Sequence, residues 1–308
     1  MKPSPAIPRH LRLVRAALRR MNAYLSRRYE RAQAKSHPPP PLKRAGTMPE
    51  AEKCLRQLDL EEGKDDLAYF EKHFPRLART LTLIPPSTAQ GAILELGCYG
   101  QITPFLDTFC GYSTVRGAHF GPAGVIQDKI LKANGKTTVI KVDLFDAERD
   151  RFPYDDGAFE TVLICEVIEH LLRDPIHMLL ECRRVLAEGG RILVSTPNIA
   201  SLTSVARVLH GHDNPQIHSK YDIPERGSET PHVREYTASE VSKVIQAAGF
   251  EIETLVTEPI AEWSKHLPLR NFLEAHGYSG ALRGEQTYCV AVKRAALPVD
   301  RYPIFLYE

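Results

Sequence analysis

"AILELGCYGQITPFL", Ala92 to Leu106, is an apolar-rich run, a glycine turn and then a segment able to start a helix. Ala92–Leu96 reads as a buried strand, because a short apolar run bounded by a turn suits a sheet covered on both faces. Gly97-Cys98-Tyr99-Gly100 stands where a dinucleotide-binding chain would need G-x-G-x-x-G. By itself a Gly-x-x-Gly is no more than a tight strand-to-helix turn. The order of the pieces around it decides what it is for.

Outward from that turn, strand-like and helix-like segments alternate. Strands are expected at Ala92–Leu96, Thr114–His119, Thr137–Val142, Thr161–Cys165, Arg191–Ser195, Glu251–Val256 and Thr287–Val292. Helices are expected near Thr103–Phe109, Pro175–Leu186, Ile199–Leu209 and Ala238–Ala248. Asp174-Pro175 offers an N-cap acid with proline at the first helical position. Thr237-Ala-Ser-Glu240 is a capping box whose helix closes at Gly249. This alternation predicts an α/β fold, a doubly wound, Rossmann-like, mostly parallel sheet with helices on both faces. In such a sheet the ligand sits at the carboxyl ends of the strands, and glycine after the first strand lets the backbone approach it.

The chain has 308 residues, 43% hydrophobic and 25% charged, enough for one large core. No apolar run approaches the roughly 18 residues of a membrane span, and the N-terminus lacks the apolar core of a secretory signal. Cys54, Cys98, Cys110, Cys165, Cys182 and Cys289 form no C-x-x-C pair, so reduced thiols in a cytoplasmic protein are expected. The net charge of +2 hides an asymmetry. Residues 1–45 carry twelve Lys/Arg against the single acid Glu30, whereas the remainder carries 28 against 37 acids.

Within that basic arm, Leu11, Val14, Leu18, Met21 and Leu25 recur at helical spacing, and "HPPPP" (His37–Pro41) reads as a stiff linker. The arm suits peripheral contact with an anionic membrane, or nucleic acid, or simple solvation, which is the common fate of terminal charge runs. The acidic body argues against nucleic acid as the partner. Residues 46–90 form a helical lead with an apolar stripe through Leu67, Phe70, Phe74 and Leu77. Residues 91–308 form the main domain, with an insertion at 200–236 and a C-terminal segment, 259–308, that carries the last strand.

The succession "ILELG", "VRGAH", "VIKVDLFD", "FETVLICEVIEHLLRDP" and "RRVLAEGGRILVSTPN" resembles the class I S-adenosylmethionine-dependent methyltransferases from about Ala92 to Val256. The trailing "HVREYTASEVSKVIQAAGFEI" is similar to this group as well. The resemblance implies S-adenosylmethionine as cofactor, held at Glu95, Gly97, Cys98, Tyr99 and Gly100. It implies Asp143 as acceptor for the adenine amino group, Leu144 as cover for the ring, and Cys165 and Glu166 beside the sulfonium. Two departures stand out. Tyr99 and Gln101 replace the usual second and third glycines, and His119 stands where an acid normally grips both ribose hydroxyls. A neutral imidazole accepts only one hydrogen bond.

"CEVIEHL" puts Glu166, Glu169 and His170 at i, i+3 and i+4, which on a helix is one face. Two carboxylates and an imidazole can bind a divalent metal such as magnesium, with His232 in "PHVREYT" as a further ligand. The pattern looks like that of ubiquinone-biosynthesis O-methyltransferases and of small-RNA terminal 2′-O-methyltransferases. Without a metal, His170 is the first candidate for a catalytic base, with Glu169 and His232 beside it. The insertion's His210, His212, His218, Tyr221, His232, Arg234 and Tyr236 suit a hydroxylated acceptor or a solvent-facing lid. Trp263 and "RYPIFLYE" are expected to pack, and Cys98 and Cys165 to be buried thiols.

The expected function is methyl transfer to oxygen of a small-molecule, glycan or lipid-linked acceptor. The alternatives are a non-catalytic cofactor-binding module and a metal-assisted RNA 2′-O-methyltransferase.

Overall fold

The structure is a computed structural model that describes residues 45–59, 65–88, 91–211, 214–216, 231–260, 263–295 and 297–307. The basic arm, its polyproline linker, His212, His218 and Tyr221 lie outside the described residues.

Helix α1 (Met48–Leu55) starts at a capping box in which the Thr47 N–H donates to Glu50 Oε2 at 2.7 Å. Helix α2 (Asp65–Leu83) follows and leads to strand β1 (Ala92–Leu96). Then come β2 (Thr114–His119), β3 (Val125–Ala133), β4 (Lys136–Leu144) and β5 (Phe159–Cys165). The second half holds α3 (Pro175–Val185), β6 (Leu186–Pro197), α4 (Leu202–Leu209), α5 (Ala238–Ala247), β7 (Phe250–Glu258), α6 (Leu267–Ala275), β8 (Gln286–Lys293) and α7 (Ile304–Tyr307). The strands form one eight-stranded sheet in the order β3-β4-β2-β1-β5-β6-β8-β7. Its centre is parallel, and antiparallel pairs close both ends: β3 on β4, and β8 between β6 and β7. Segment 263–281, which carries α6, belongs to a compact unit separate from the sheet, with an Arg270–Glu274 ion pair at 3.0 Å one turn apart.

Alternation along the central strands builds two apolar layers. Ile93, Leu163, Leu193 and Val290 face α1, α2 and the turn after β1, where Phe70, Phe74 and Leu77 of the expected stripe are buried. Leu94, Leu96, Val162, Ile164, Ile192 and Val194 face α3 and α5. Both expected helix starts are present: Asp174 Oδ1 accepts from the His177 N–H at 3.0 Å, and Thr237 Oγ1 from the Glu240 N–H at 3.1 Å. The terminal segment packs as expected. Phe305 and Leu306 lie on the second layer, and Tyr307 donates its hydroxyl to Asp174 Oδ1 at 2.6 Å. All six cysteines are free thiols.

Two differences shape the site. The expected helix over Thr103–Phe109 is a 3-10 turn, Thr103–Phe105, followed by loose turns that end at Gly111. Between β2 and β4 the chain makes strand β3, which was not expected, and folds back in a hairpin on β4 around Asn134-Gly135. The hairpin tip is fastened to the helical lead, since the Asn134 N–H donates to the Gln57 carbonyl at 2.7 Å and the Asp59 N–H to Lys132 at 2.9 Å.

Candidate active site

The carboxyl ends of β1, β2, β4, β5 and β6 meet at the turn after β1. Gly97 has φ +68°, and a Cβ there would lie 2.9 Å from Val167 Cγ2, so the turn passes directly over the residues that follow β5. The N–H groups of Gly97 and Cys98 both donate to the Ala118 carbonyl on β2, at 3.0 and 3.1 Å. Glu95 lies beneath, fully buried, and accepts from Thr103 Oγ1 at 2.6 Å. Burial raises its carboxyl to about 7, against the opposing pull of the Thr103 hydroxyl and the Lys129 charge.

Strand β3 fills what the missing glycines would have left open. Lys129 Nζ donates to the Cys98 carbonyl at 3.1 Å, and a Cβ on Gly100 would lie 2.6 Å from Leu131 Cδ2. The side chain of Cys98 turns inward, buried with Val142 and Leu144, and burial pushes its thiol up to about 12. Leu144 packs in the same cluster as Cys98 and Val142. On Asp143, Oδ2 takes hydrogen bonds from Arg116 Nη2 at 2.6 Å and Tyr154 OH at 2.8 Å. Tyr99 is 57% exposed, with its ring edge-on to His119 at 5.3 Å. Cys98, Tyr99, His119, Gln127, Asp128, Lys129 and Val142 enclose a depression of about 320 Å³ beside the turn.

Beyond β5 the chain makes only a 3-10 turn, Ile168–His170, and Glu166 enters it at φ +57°. The helical spacing expected of Glu166, Glu169 and His170 is therefore lost, and Glu166 lies outside the cluster that Glu169, His170 and His232 form. Its Oε2 is paired with Arg76 Nη1 at 2.9 Å, while Oε1 accepts from Ser195 Oγ at 2.8 Å and Gln286 Nε2 at 2.6 Å. Burial would raise this carboxyl, but Arg76, Ser195 and Gln286 outweigh it and hold it below the ordinary range. Cys165 is half-buried, and desolvation pushes its thiol up to about 12.

Glu169, His170 and His232 do come together, with ligand atoms all within 4.8 Å of one another. Glu169 is fully buried; Oε2 accepts from Thr196 Oγ1 at 2.9 Å, while Oε1 has no hydrogen-bond partner among the described residues. Burial, and next the charge of Glu166, raise this carboxyl well above its ordinary value. The Glu169 carbonyl accepts from Val233 and Arg234 N–H at 2.8 and 3.1 Å, which draws the His232 segment over β5. His170 Nδ1 lies 3.1 Å from the Pro231 carbonyl, so this nitrogen carries the proton and Nε2 is the basic one. The two imidazole rings meet edge-on at 4.7 Å, and His232 Nδ1 lies 3.4 Å from Glu235 Oε1.

Residues 94–194 match the family model described as a methyltransferase domain. That stretch is a methyltransferase domain. Over 131 residues it is 31% identical to a "Probable S-adenosylmethionine-dependent methyltransferase" of Mycolicibacterium smegmatis, covering 42% of this chain and 43% of that protein. Over 206 residues it is 28% identical to one of Mycobacterium tuberculosis, covering 65% of this chain and 60% of that protein. It thus spans about half the length of these relatives. A solved S-adenosylmethionine-dependent methyltransferase from Archaeoglobus fulgidus aligns over 75% of this chain and all of its own, at 15% identity and a TM-score of 0.47. Around this turn, the residues that sequence reasoning missed are Arg76, Arg116, Lys129, Tyr154 and Thr196. None carries a motif, because each acts by reaching across from another element.

Proposed function

We propose that the chain transfers a methyl group from S-adenosylmethionine to a hydroxyl oxygen of a small-molecule, glycan or lipid-linked acceptor. The observation that supports this reading is the contact of the β1 turn with Val167, two residues before the Glu169–His170–His232 group. Bound at that turn, the cofactor supplies an electrophilic methyl carbon on a cationic sulfur. His170 Nε2 would take the proton that the acceptor hydroxyl gives up as its oxygen is methylated. The Pro231 carbonyl holds His170 in the tautomer this requires. Positioning of two bound reactants is worth about 10⁵–10⁸ M in effective concentration, more than the roughly 10²–10⁴-fold from the base. Calorimetry with S-adenosylhomocysteine and transfer of labelled methyl to hydroxylated acceptors test the reading. No heat with S-adenosylhomocysteine would replace it with a non-catalytic module.

Glu95 makes that binding pH-dependent. Its carboxyl keeps a proton to about 7 in the fold, against an ordinary value of 4.5. The folded chain therefore binds the extra proton between those values, and this group's contribution to the stability of the ligand-free protein falls as pH rises across them. The cationic end of a ligand beside Glu95 expels the proton, so affinity rises with pH and levels off above 7. S-adenosylhomocysteine is expected to bind roughly tenfold more tightly at pH 8 than at pH 6, and with no such difference in Glu95→Gln. Equal affinities in the wild type would take the Glu95 carboxylate out of the contact.

The unpartnered Glu169 Oε1 favours a second reading of the same group, a divalent metal held by Glu169, His170 and His232. With Glu166 turned away, the set is one oxygen and two imidazoles, which suits zinc or iron better than magnesium. A metal there would supply Lewis acidity toward the acceptor oxygen. Titration of chelator-treated protein with zinc and with magnesium decides between the readings. Zinc binding that is lost in Glu169→Gln supports the metal, and no heat from either ion leaves His170 as the base.

A further inference from the structure

The depression beside the β1 turn has a polar lining that the family's usual ribose-gripping acid does not supply. In doubly wound sheets, the side chain that grips the ribose hydroxyls lies about 20 residues beyond the glycine turn, at the end of the second strand. Here that residue is His119. Its Nδ1 lies 3.3 Å from the Phe120 carbonyl, which can only accept, so Nδ1 carries the hydrogen and Nε2 offers one acceptor. A diol needs two.

Strand β3 brings the second. Residues opposed across an antiparallel pair share a face of the sheet. Gln127 is opposite Val142, which packs against Cys98, so Gln127 stands on the face of the β1 turn and lines the same depression as His119. It is exposed, and its amide has no hydrogen bond among the described residues. Its neighbours are committed elsewhere. Lys129 Nζ donates to the Cys98 carbonyl, and Asp128, opposite Lys141 on the other face, is paired with it at 2.5 Å. Arg116 of β2 is held by Asp143.

Resting on the cofactor reading above, we propose that the ribose diol is held by His119 Nε2 and the Gln127 amide across this depression, the hairpin strand taking over half the work of the missing acid. The ligand is an adenosyl nucleoside with both ribose hydroxyls free.

The test is calorimetry of the full chain and of Gln127→Ala with S-adenosylhomocysteine and its 2′-deoxy and 3′-deoxy analogues. Gln127→Ala is expected to bind S-adenosylhomocysteine about 3–10-fold more weakly, the usual worth of one neutral hydrogen bond. Against whichever analogue lacks the hydroxyl that Gln127 holds, wild type and variant are expected to bind equally. Unchanged affinity for S-adenosylhomocysteine, or the same loss for all three compounds, would overturn the grip while leaving the cofactor reading in place. A wild type that binds none of the three would overturn both.

Discussion

Replacing Arg76 with alanine is expected to destabilise the fold by about 3–5 kcal/mol, the usual cost of breaking a buried ion pair from one side. Arg76 reaches from α2 to Glu166, and its Nη2 donates to Tyr69 OH at 2.9 Å. Its side chain is only 6% exposed. Removing the guanidinium leaves Glu166 with Ser195 and Gln286 as neutral donors and no counter-charge. The loss falls on the residue that ends β5 in the left-handed region, so it reaches both the helical lead and the site. Removing both charges together, in Arg76→Met with Glu166→Gln, leaves no orphaned charge and is expected to recover much of the stability. Urea unfolding of the two singles and the double gives the coupling directly. A cost below 1 kcal/mol for Arg76→Ala would show that the pair does not hold α2 to the sheet.

The second large effect concerns rate. His170→Ala is expected to slow methyl transfer by about 10²–10⁴-fold while S-adenosylhomocysteine binds as before. The two parts separate because His170 is held by Pro231 and the His232 ring, whereas the β1 turn rests on Ala118, Thr103 and Lys129. Single-turnover measurement with a competent acceptor reads the chemical step free of product release. Turnover at the wild-type rate would remove His170 from proton transfer and leave positioning alone to carry the reaction.

Much of the frame was legible along the chain. Ala92–Leu96, the two capped helices and the alternation of strand and helix follow from apolar periodicity, glycine and N-cap chemistry, all of which act within a few residues. The turn after β1 was legible for the same reason: its strand, its glycines and Glu95 lie in one continuous stretch. Where the expectations failed, the missing information lay elsewhere in the chain. The residues 120–136 carry no strong helical or strand period, and only pairing with β4 makes Val125–Ala133 a strand. The helical spacing of E-x-x-E-H was real in sequence, but Arg76, Ser195 and Gln286 compete for Glu166 and win, because a buried carboxylate goes where its charge is met.

The sequence by itself therefore determined the order of elements, the parallel centre of the sheet and the turn on which a cofactor can rest. Only the tertiary structure decided which side chains face that turn: Leu131 against Gly100, Gln127 beside His119, and His232 brought to Glu169 across a long insertion. The reason is physical. Backbone preference is settled locally, whereas a buried polar group takes the partner that packing brings within reach, and that partner can come from anywhere in the chain.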